Sequence, residues 1–558
     1  MKILLVYPYC LEERIHEEDV RVPPIGLYSV AAVLIDAGHD VVLVNFQDKK
    51  EKTEDIRRVI AGQKPDLVGI SILNANRFGG IEIARIVKQI EPRTPVVMGG
   101  VGATFLWKLF LRHFPEIDYV VVGEGERAVT ELVQHLEKKE EKGAAAVPGI
   151  ARRDNGRAVC NPPAPPIDDL DALADPARYF TFSHVVSSRG CPSNCRFCGS
   201  PQFWQRRVRF HSPSYFVDQV ERLHRKDIGF FFVSDDTFTL KPKRVIDICR
   251  RMLDRGLNVS WAAISRVDRI DEKMLFWMRK AGCTQISYGV EHGSPRIRRN
   301  LGKHFTDEQI RRAFALTTGY GIMARAYFIY GCPGETDDTI EQTIGLIRKV
   351  RPLSAIFYLL ALFPGTALYE DYRKRQGIGD EIWLENSEDI LYFETDPQLS
   401  REKVLSFGRR LRSTFYRELP GFAGSIELVK DPELAPLHAD FLSRLGLTFT
   451  HGDYAVAREV PSKQQTAENL FRRALSYHPD HRAYLGLGLL AQLRRDFAGS
   501  IRILEEGIGH FPDSEELLTC LGIDYMNLGD FRKALDCFKP FAGRAPVDGY
   551  IAQCRKRL

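Results

Sequence analysis

Residues 191–198 read CPSNCRFC, which puts Cys191, Cys195 and Cys198 in the spacing C-x3-C-x2-C. Three thiolates on one short loop can hold three irons of a 4Fe–4S cluster. The fourth iron then has no protein ligand and stays open to a substrate or cofactor, whereas a structural site would be closed by a fourth residue. Phe197, just before the third cysteine, would cover such a cluster from one side. A zinc site is the competing reading. It would need a fourth ligand such as His184 or Cys160, and neither continues the paired C-x2-C pattern of zinc sites.

Around this loop, residues 184 to about 365 alternate strand and helix patterns. The candidate strands are 184–188, 230–234, 260–265, 285–291, 325–331 and 356–363. Barrels built of such units carry their chemistry at the C-terminal strand ends. The distinctive residues fall there: the cysteine loop, then Ser234-Asp235-Asp236, Arg266, Glu291 and the segment GCPGE at 331–335.

The cysteine loop, with an aromatic before its last cysteine, resembles the signature of radical S-adenosylmethionine (SAM) enzymes. SRVDRID at 265–271 and YGVEHGS at 288–294 are similar to segments of that family. The resemblance implies a partial (β/α)6 barrel whose open iron chelates the amino and carboxylate groups of SAM. One-electron cleavage of SAM would then give a 5′-deoxyadenosyl radical that abstracts hydrogen from substrate. Arg266 could offer its planar fork to the SAM carboxylate. Ser234, Asp235, Asp236 and Glu291 could accept from the amino group and ribose hydroxyls. For the acidic residues a helix N-cap is the structural alternative. The resemblance also implies an electron donor such as flavodoxin or ferredoxin.

Residues 1–145 alternate apolar runs at 3–7, 41–46, 67–72, 96–100 and 119–123 with helical patterns at 26–37, 80–90 and 127–138. This pattern predicts a parallel sheet with helices on both faces. Ligands of such sheets sit at the carboxyl ends of the strands. Tyr7, Ser71, Gly99, Gly100, Gly123 and Glu124 occupy those ends. PPIGLYSVAAVL, GISI, MGGVGATF and VVVGEGE together resemble the flavodoxin-like (Rossmann-like) cobalamin-binding domain that precedes many radical SAM modules. In the family's methyltransferases, cobalamin carries a methyl group on cobalt. One departure is the missing D-x-H-x-x-G loop that would give cobalt an axial histidine; His16 follows the first strand without that context. An empty, purely structural domain is the alternative.

The rest of the chain is expected to support these two domains. Residues 146–183 read as a connector, with a hairpin turning at Asn155-Gly156 and a proline-rich strap along a neighbouring domain. The barrel spans 184–379, and a mixed, mostly helical extension at 380–460 is expected to cap its mouth. Arg206, Arg207 and Arg209 could contact SAM, the connector or an anionic substrate, or form a solvated face. Cys332 lies near the expected barrel mouth, as a thiol donor or as a packed, inert cysteine. In residues 461–558, Pro479-Asp480, Pro512-Asp513 and Pro546 recur. They resemble about two and a half tetratricopeptide units. Such a surface binds a peptide or partner protein, or only caps the enzyme.

Composition bounds the reading further. Of 558 residues, 44% are hydrophobic and 27% charged, as in soluble globular chains. The net charge is 78 minus 73, or +5, which is no argument for nucleic acid. No apolar run is long enough for a membrane span. Eight of the eleven cysteines are scattered, which fits a reducing, cytoplasmic setting. The leading expectation is cobalamin-dependent methylation of an unactivated carbon. The runner-up is carbon–carbon coupling, cyclisation or rearrangement without methyl transfer. A non-enzymatic scaffold, with the repeats binding partners, is the third.

Overall fold

The computed structural model describes residues 1–10, 24–47, 53–140, 143–385 and 389–558. Its first sheet contains Lys2–Tyr7 (β1), Asp40–Asn45 (β2), Leu67–Ser71 (β3), Val96–Gly99 (β4) and Tyr119–Val121 (β5). They run parallel in the order β2-β1-β3-β4-β5. Alternate residues of these strands serve different cores. Leu4, Val6, Ile70 and Met98 pack on one face, and Ile3, Leu5, Leu67 and Val97 on the other. Helices on both faces are why the strands read as unbroken apolar runs. The chain reverses its strand order between β1 and β3, where sheets of this topology open a crevice.

The hairpin turns at Asn155 and Gly156, both with positive φ. Its strands, Ile150–Asp154 (β6) and Arg157–Cys160 (β7), extend the same sheet antiparallel beyond β5. The strap that follows is tied to the barrel by three aspartates. Asp168 meets Arg207, Asp171 meets His211 and the Ser212 amide, and Asp175 accepts from Gln219 and Arg222.

The barrel begins with His184–Val185 (β8). Ser188–Arg189 (β9) and Arg209–Phe210 (β10) then pair antiparallel on either side of the cysteine loop. Phe230–Val233 (β11), Ser260–Ser265 (β12), Cys283–Glu291 (β13), Met323–Tyr330 (β14) and Ser354–Leu359 (β15) complete a parallel sheet in the order β8-β11-β12-β13-β14-β15. The end strands β8 and β15 do not pair, so this is an open barrel.

Part of the extension lies at the C-terminal end of the barrel strands, where Ile390–Leu391 pairs antiparallel with Ala361–Leu362 just past β15. Helix Arg401–Gly424 packs on β15 and on helix Asp337–Val350, with Phe415 against Phe357. The preceding segment returns to the first domain, where Tyr369 and Trp383 join the core of Ile70 and Met98. The fully buried Arg77 donates to the Trp383 carbonyl at 3.0 Å.

Six helices, from Lys463–Leu475 to Ala545–Arg557, pack each on the next. Asp480, Asp496, Ser514 and Asp530 each N-cap one of them. Among the described residues no helix is long and apolar enough to cross a membrane.

Asp524 is fully buried in this stack, and neither carboxylate oxygen has a hydrogen-bond partner. The nearest donors are committed first to carbonyls, Ser500 to Gly488 and Gln492 to Cys520, and compensate the carboxylate only in part. Burial therefore raises the Asp524 pKa. A raised folded-state value means the native chain holds the proton more tightly, so stability falls as pH climbs from the ordinary aspartate range through that value. Asp524→Asn should stabilise the stack at neutral pH by about 1–3 kcal/mol. Thermal melts should show the advantage shrinking as the pH falls toward the ordinary aspartate pKa of about 3.9.

Candidate active site between two domains

The cysteine loop is held by its surroundings. Asp235, just past β11, receives the Ser187 and Ser188 amides at 2.6 and 3.1 Å and both serine hydroxyls at 2.6 Å. It is buried, and its acceptor sites are filled by the strand that feeds the loop. This corrects the expectation that Asp235 binds SAM. A carboxylate taken out of water must be matched by donors from the chain, and here Ser187 and Ser188 supply them. Asp236 is tied to both ends of the loop, accepting from the Ser200 hydroxyl at 2.7 Å and from the Gly190 backbone. Burial raises its pKa above the ordinary value. No helix begins at either aspartate, so neither is an N-cap.

Arg266 forks onto Asp268 at 2.8 and 3.0 Å and also donates to the Ser193 hydroxyl inside the loop. Ser234 meets Nδ1 of His184 at 3.0 Å. Glu291 ends β13 with φ +65°, the left-handed region that costs a side chain about 1–3 kcal/mol. Its carboxylate pairs at 2.8 Å with Lys303, and both side chains are buried. The Lys303 ammonium lies 6.0 Å from the centre of the Phe197 ring. Burial disfavours that ammonium, yet the Glu291 carboxylate and the nearby Cys195 outweigh burial and hold its pKa above the ordinary value.

Burial pushes the Cys195 thiol up and the Cys198 thiol to about 12. Metal ligation needs thiolates, so iron must displace these protons. Among the described residues no three His, Cys, Asp or Glu side chains converge on a single-ion site. Three thiols that each meet a separate iron need no such convergence. His184 is instead stacked on Phe232, and Cys160 is exposed at the end of β7.

Tyr7, Ser71, Gly99, Gly100, Gly123 and Glu124 are brought together around one cavity of about 340 Å3. Its opposite wall comes from the barrel: Gly190, Ser234 and Asp236, with Phe203 and Trp204. A Cβ added at Gly26 or Gly123 would meet nothing within 4 Å, so the backbone there faces open space. No histidine is among the lining residues described, so they offer cobalt no imidazole. His16 lies outside the described residues.

Glu124 lines this cavity, but its carboxylate is filled by the chain. Arg189 reaches it at 2.8 Å, Arg209 at 2.6 Å and the Ile167 amide at 3.1 Å. Arg189 also grips Glu126 at 2.6 Å. Glu124 thus stands in the cavity wall expected to hold cofactor and also clasps the first domain to the barrel through Arg189, the residue before the loop's Gly190. Burial alone would raise the Glu124 pKa, but the bonds from Arg209, Ile167 and Arg189 hold it below the ordinary range. Arg206 donates to the Pro192 carbonyl and Arg207 pairs with Asp168, so the three arginines hold the loop and strap. Cys332 is fully buried and points its thiol at the Ile329 carbonyl, away from any role as an exposed donor.

Sequence reasoning missed Lys303, Glu126 and Arg189. Arg189 carried one signal, its place just before the loop. Lys303 carried none.

Comparison with known proteins agrees with this geometry. The B12 binding domain family matches residues 17–133, and the Radical SAM superfamily matches residues 185–347. An uncharacterized methyltransferase of Pyrococcus horikoshii is 36% identical over 66% of this chain and 83% of its own length. An anaerobic magnesium-protoporphyrin IX monomethyl ester cyclase of Rubrivivax gelatinosus is 30% identical over 68% of this chain and 71% of its own. Among solved structures, the radical SAM methyltransferase TsrM of Kitasatospora setae, with cobalamin and a 4Fe–4S cluster bound, has the same fold. Its TM-score is 0.60 at 17% identity, covering 85% of this chain and 99% of that one.

Glu124→Gln keeps the shape of the clasp but takes the paired carboxylate from the buried Arg209 and leaves Arg189 with Glu126 alone. Breaking a buried pair costs about 3–5 kcal/mol. The variant should melt at lower temperature, and limited proteolysis should cut first in the 161–183 strap. Wild-type melting and digestion would refute the clasp.

Proposed function

This chain belongs to the radical SAM enzymes that carry a B12-binding domain, and from that premise we propose that it methylates an unactivated carbon. It is a cobalamin-dependent radical SAM enzyme, with a 4Fe–4S cluster and SAM as its further cofactors. One observation carries the finer reading: the sheet ends of the first domain and the residues that tie down the cysteine loop line a single cavity. When bound, the cluster and SAM supply hydrogen-atom abstraction, and cobalamin supplies a transferable methyl group.

The chain's own residues divide the work around these groups. Cys191, Cys195 and Cys198 would hold the cluster, and Asp235 and Asp236 fix the loop that presents them. Lys303 and Glu291 place a compensated charge pair beside Cys195. Ser234 and Asp236 leave polar atoms on the cavity wall for SAM, while Leu5, Val97, Val121 and Trp204 supply apolar wall that excludes water.

The relative named as a cyclase supports a second reading, ring formation without methyl transfer. Product analysis separates the two. Anaerobically reconstituted protein given hydroxocobalamin, SAM and reductant should bind cobalamin stoichiometrically. Under the first reading it should release both S-adenosylhomocysteine and 5′-deoxyadenosine. Release of 5′-deoxyadenosine alone would reject methyl transfer and favour ring formation. Cys195→Ala should keep cobalamin but lose the iron–sulfur absorbance and at least 100-fold of the 5′-deoxyadenosine, roughly the loss of an essential group.

A further inference from the structure

The cysteine loop borders a second space that shares no lining residue with the cavity. Arg196, between the ligands Cys195 and Cys198, lines a groove of about 460 Å3 together with Asn300, Asp371, Lys374, Arg375 and Tyr392. Two backbone bonds fix Arg196 in this wall. Its amide donates to the Leu301 carbonyl at 3.0 Å, and its carbonyl accepts from the Leu368 amide at 3.0 Å. The loop is thus bracketed by the end of helix Pro295–Asn300 and the start of helix Ala367–Gln376.

The groove is cationic. Arg196, Lys374 and Arg375 line it with one carboxylate, Asp371, which Arg196 already engages, and Asp396 lies behind it against the Tyr392 hydroxyl, so cations still outnumber carboxylates. Lys374 and Arg375 are exposed, and Arg375 reaches the Tyr392 hydroxyl. Arg296, also exposed, donates to the Gly334 carbonyl beside Pro333, another lining residue. The cavity between the domains is largely apolar in its walls, so the two openings suit different visitors.

We propose that this groove docks an acidic one-electron carrier protein of the flavodoxin or ferredoxin kind, seated one residue from the cluster ligand Cys195. The proposal rests on the cluster-bearing reading. An oxidised cluster must accept one electron, and the reduced carrier loses that electron and is itself oxidised. Opposite charge on the two surfaces steers the encounter and makes it salt-sensitive. Redox encounters of this type use small, transient interfaces, and the rim of one short helix and one loop suits that scale. A carrier in this groove touches Arg196 directly, so little protein separates it from the loop.

The test uses reconstituted holoenzyme, reduced flavodoxin as the probe, and titanium(III) citrate as a small reductant with no docking requirement. Lys374→Glu combined with Arg375→Glu reverses the charge without touching the cavity or the cysteines. Lys533→Glu combined with Lys539→Glu, both exposed in the helical stack, makes the same change in net charge away from the groove. The double variant should bind flavodoxin at least tenfold more weakly by titration. Its cluster should be reduced by flavodoxin more slowly by a similar factor in stopped flow. Its reduction by titanium citrate should match wild type, and the salt dependence of flavodoxin binding should flatten. Unchanged flavodoxin affinity and reduction rate would overturn the proposal, as would an equal loss in the control with Lys533 and Lys539 reversed. A wild-type protein that binds flavodoxin at this groove yet, reduced by titanium citrate, cleaves no SAM would uphold the docking surface and refute the catalytic reading instead.

Discussion

The buried ion-pair cluster of Glu124, Glu126, Arg189 and Arg209 sets the geometry on which the site depends. Both carboxylates stand where the first sheet ends, and both guanidinium groups stand on the strands that flank the cysteine loop. Charges buried this deeply tolerate little displacement, because each loses its countercharge if the domains slide. The clasp therefore fixes the distance between the sheet ends and the loop, and with it the width of the cavity. Two apolar contacts act in the same sense. Phe105 of the first domain fills the space over Gly365, where a Cβ would come within 2.3 Å of its ring, and Trp383 sits in the first domain's core.

A second principle governs the barrel. Every acidic residue at the strand ends was a candidate to meet the cofactor directly, yet Asp235 supports the loop instead and Glu291 is paired with a lysine. Burial explains the shift of role. A carboxylate in a dry site must be compensated by the protein before any ligand arrives. A loop that carries three ligands has few hydrogen bonds of its own, so the neighbouring strand ends supply them. The same demand accounts for Arg266, which divides its donors between Asp268 and the loop residue Ser193.

Helix Arg401–Gly424 illustrates how an open barrel differs from a closed one. With β8 and β15 not paired to each other, the sheet stays open, and the extension after the barrel packs on β14 and β15 while also reaching the first domain. The third part of the chain, the helical stack, is joined to this extension through helices Ala435–Thr450 and Lys463–Leu475, which pack against each other.

Much of this was legible in the residues themselves. The cysteine spacing, the apolar runs of β1, β3 and β4, and the glycines at the sheet ends are local signals, because ligation, strand pairing and tight backbone approach act over a few residues. They were enough to expect two parallel α/β domains and the contents of the cavity. The partners of Glu124 and Glu291 were not legible. Arg189 lies 65 positions from Glu124, and Lys303 belongs to no recurring pattern. Whether an acidic strand end serves a cofactor or a neighbouring arginine depends on which charge the fold buries beside it. Only the tertiary structure decided that, because desolvation is a property of the packed environment and has no spacing in the sequence.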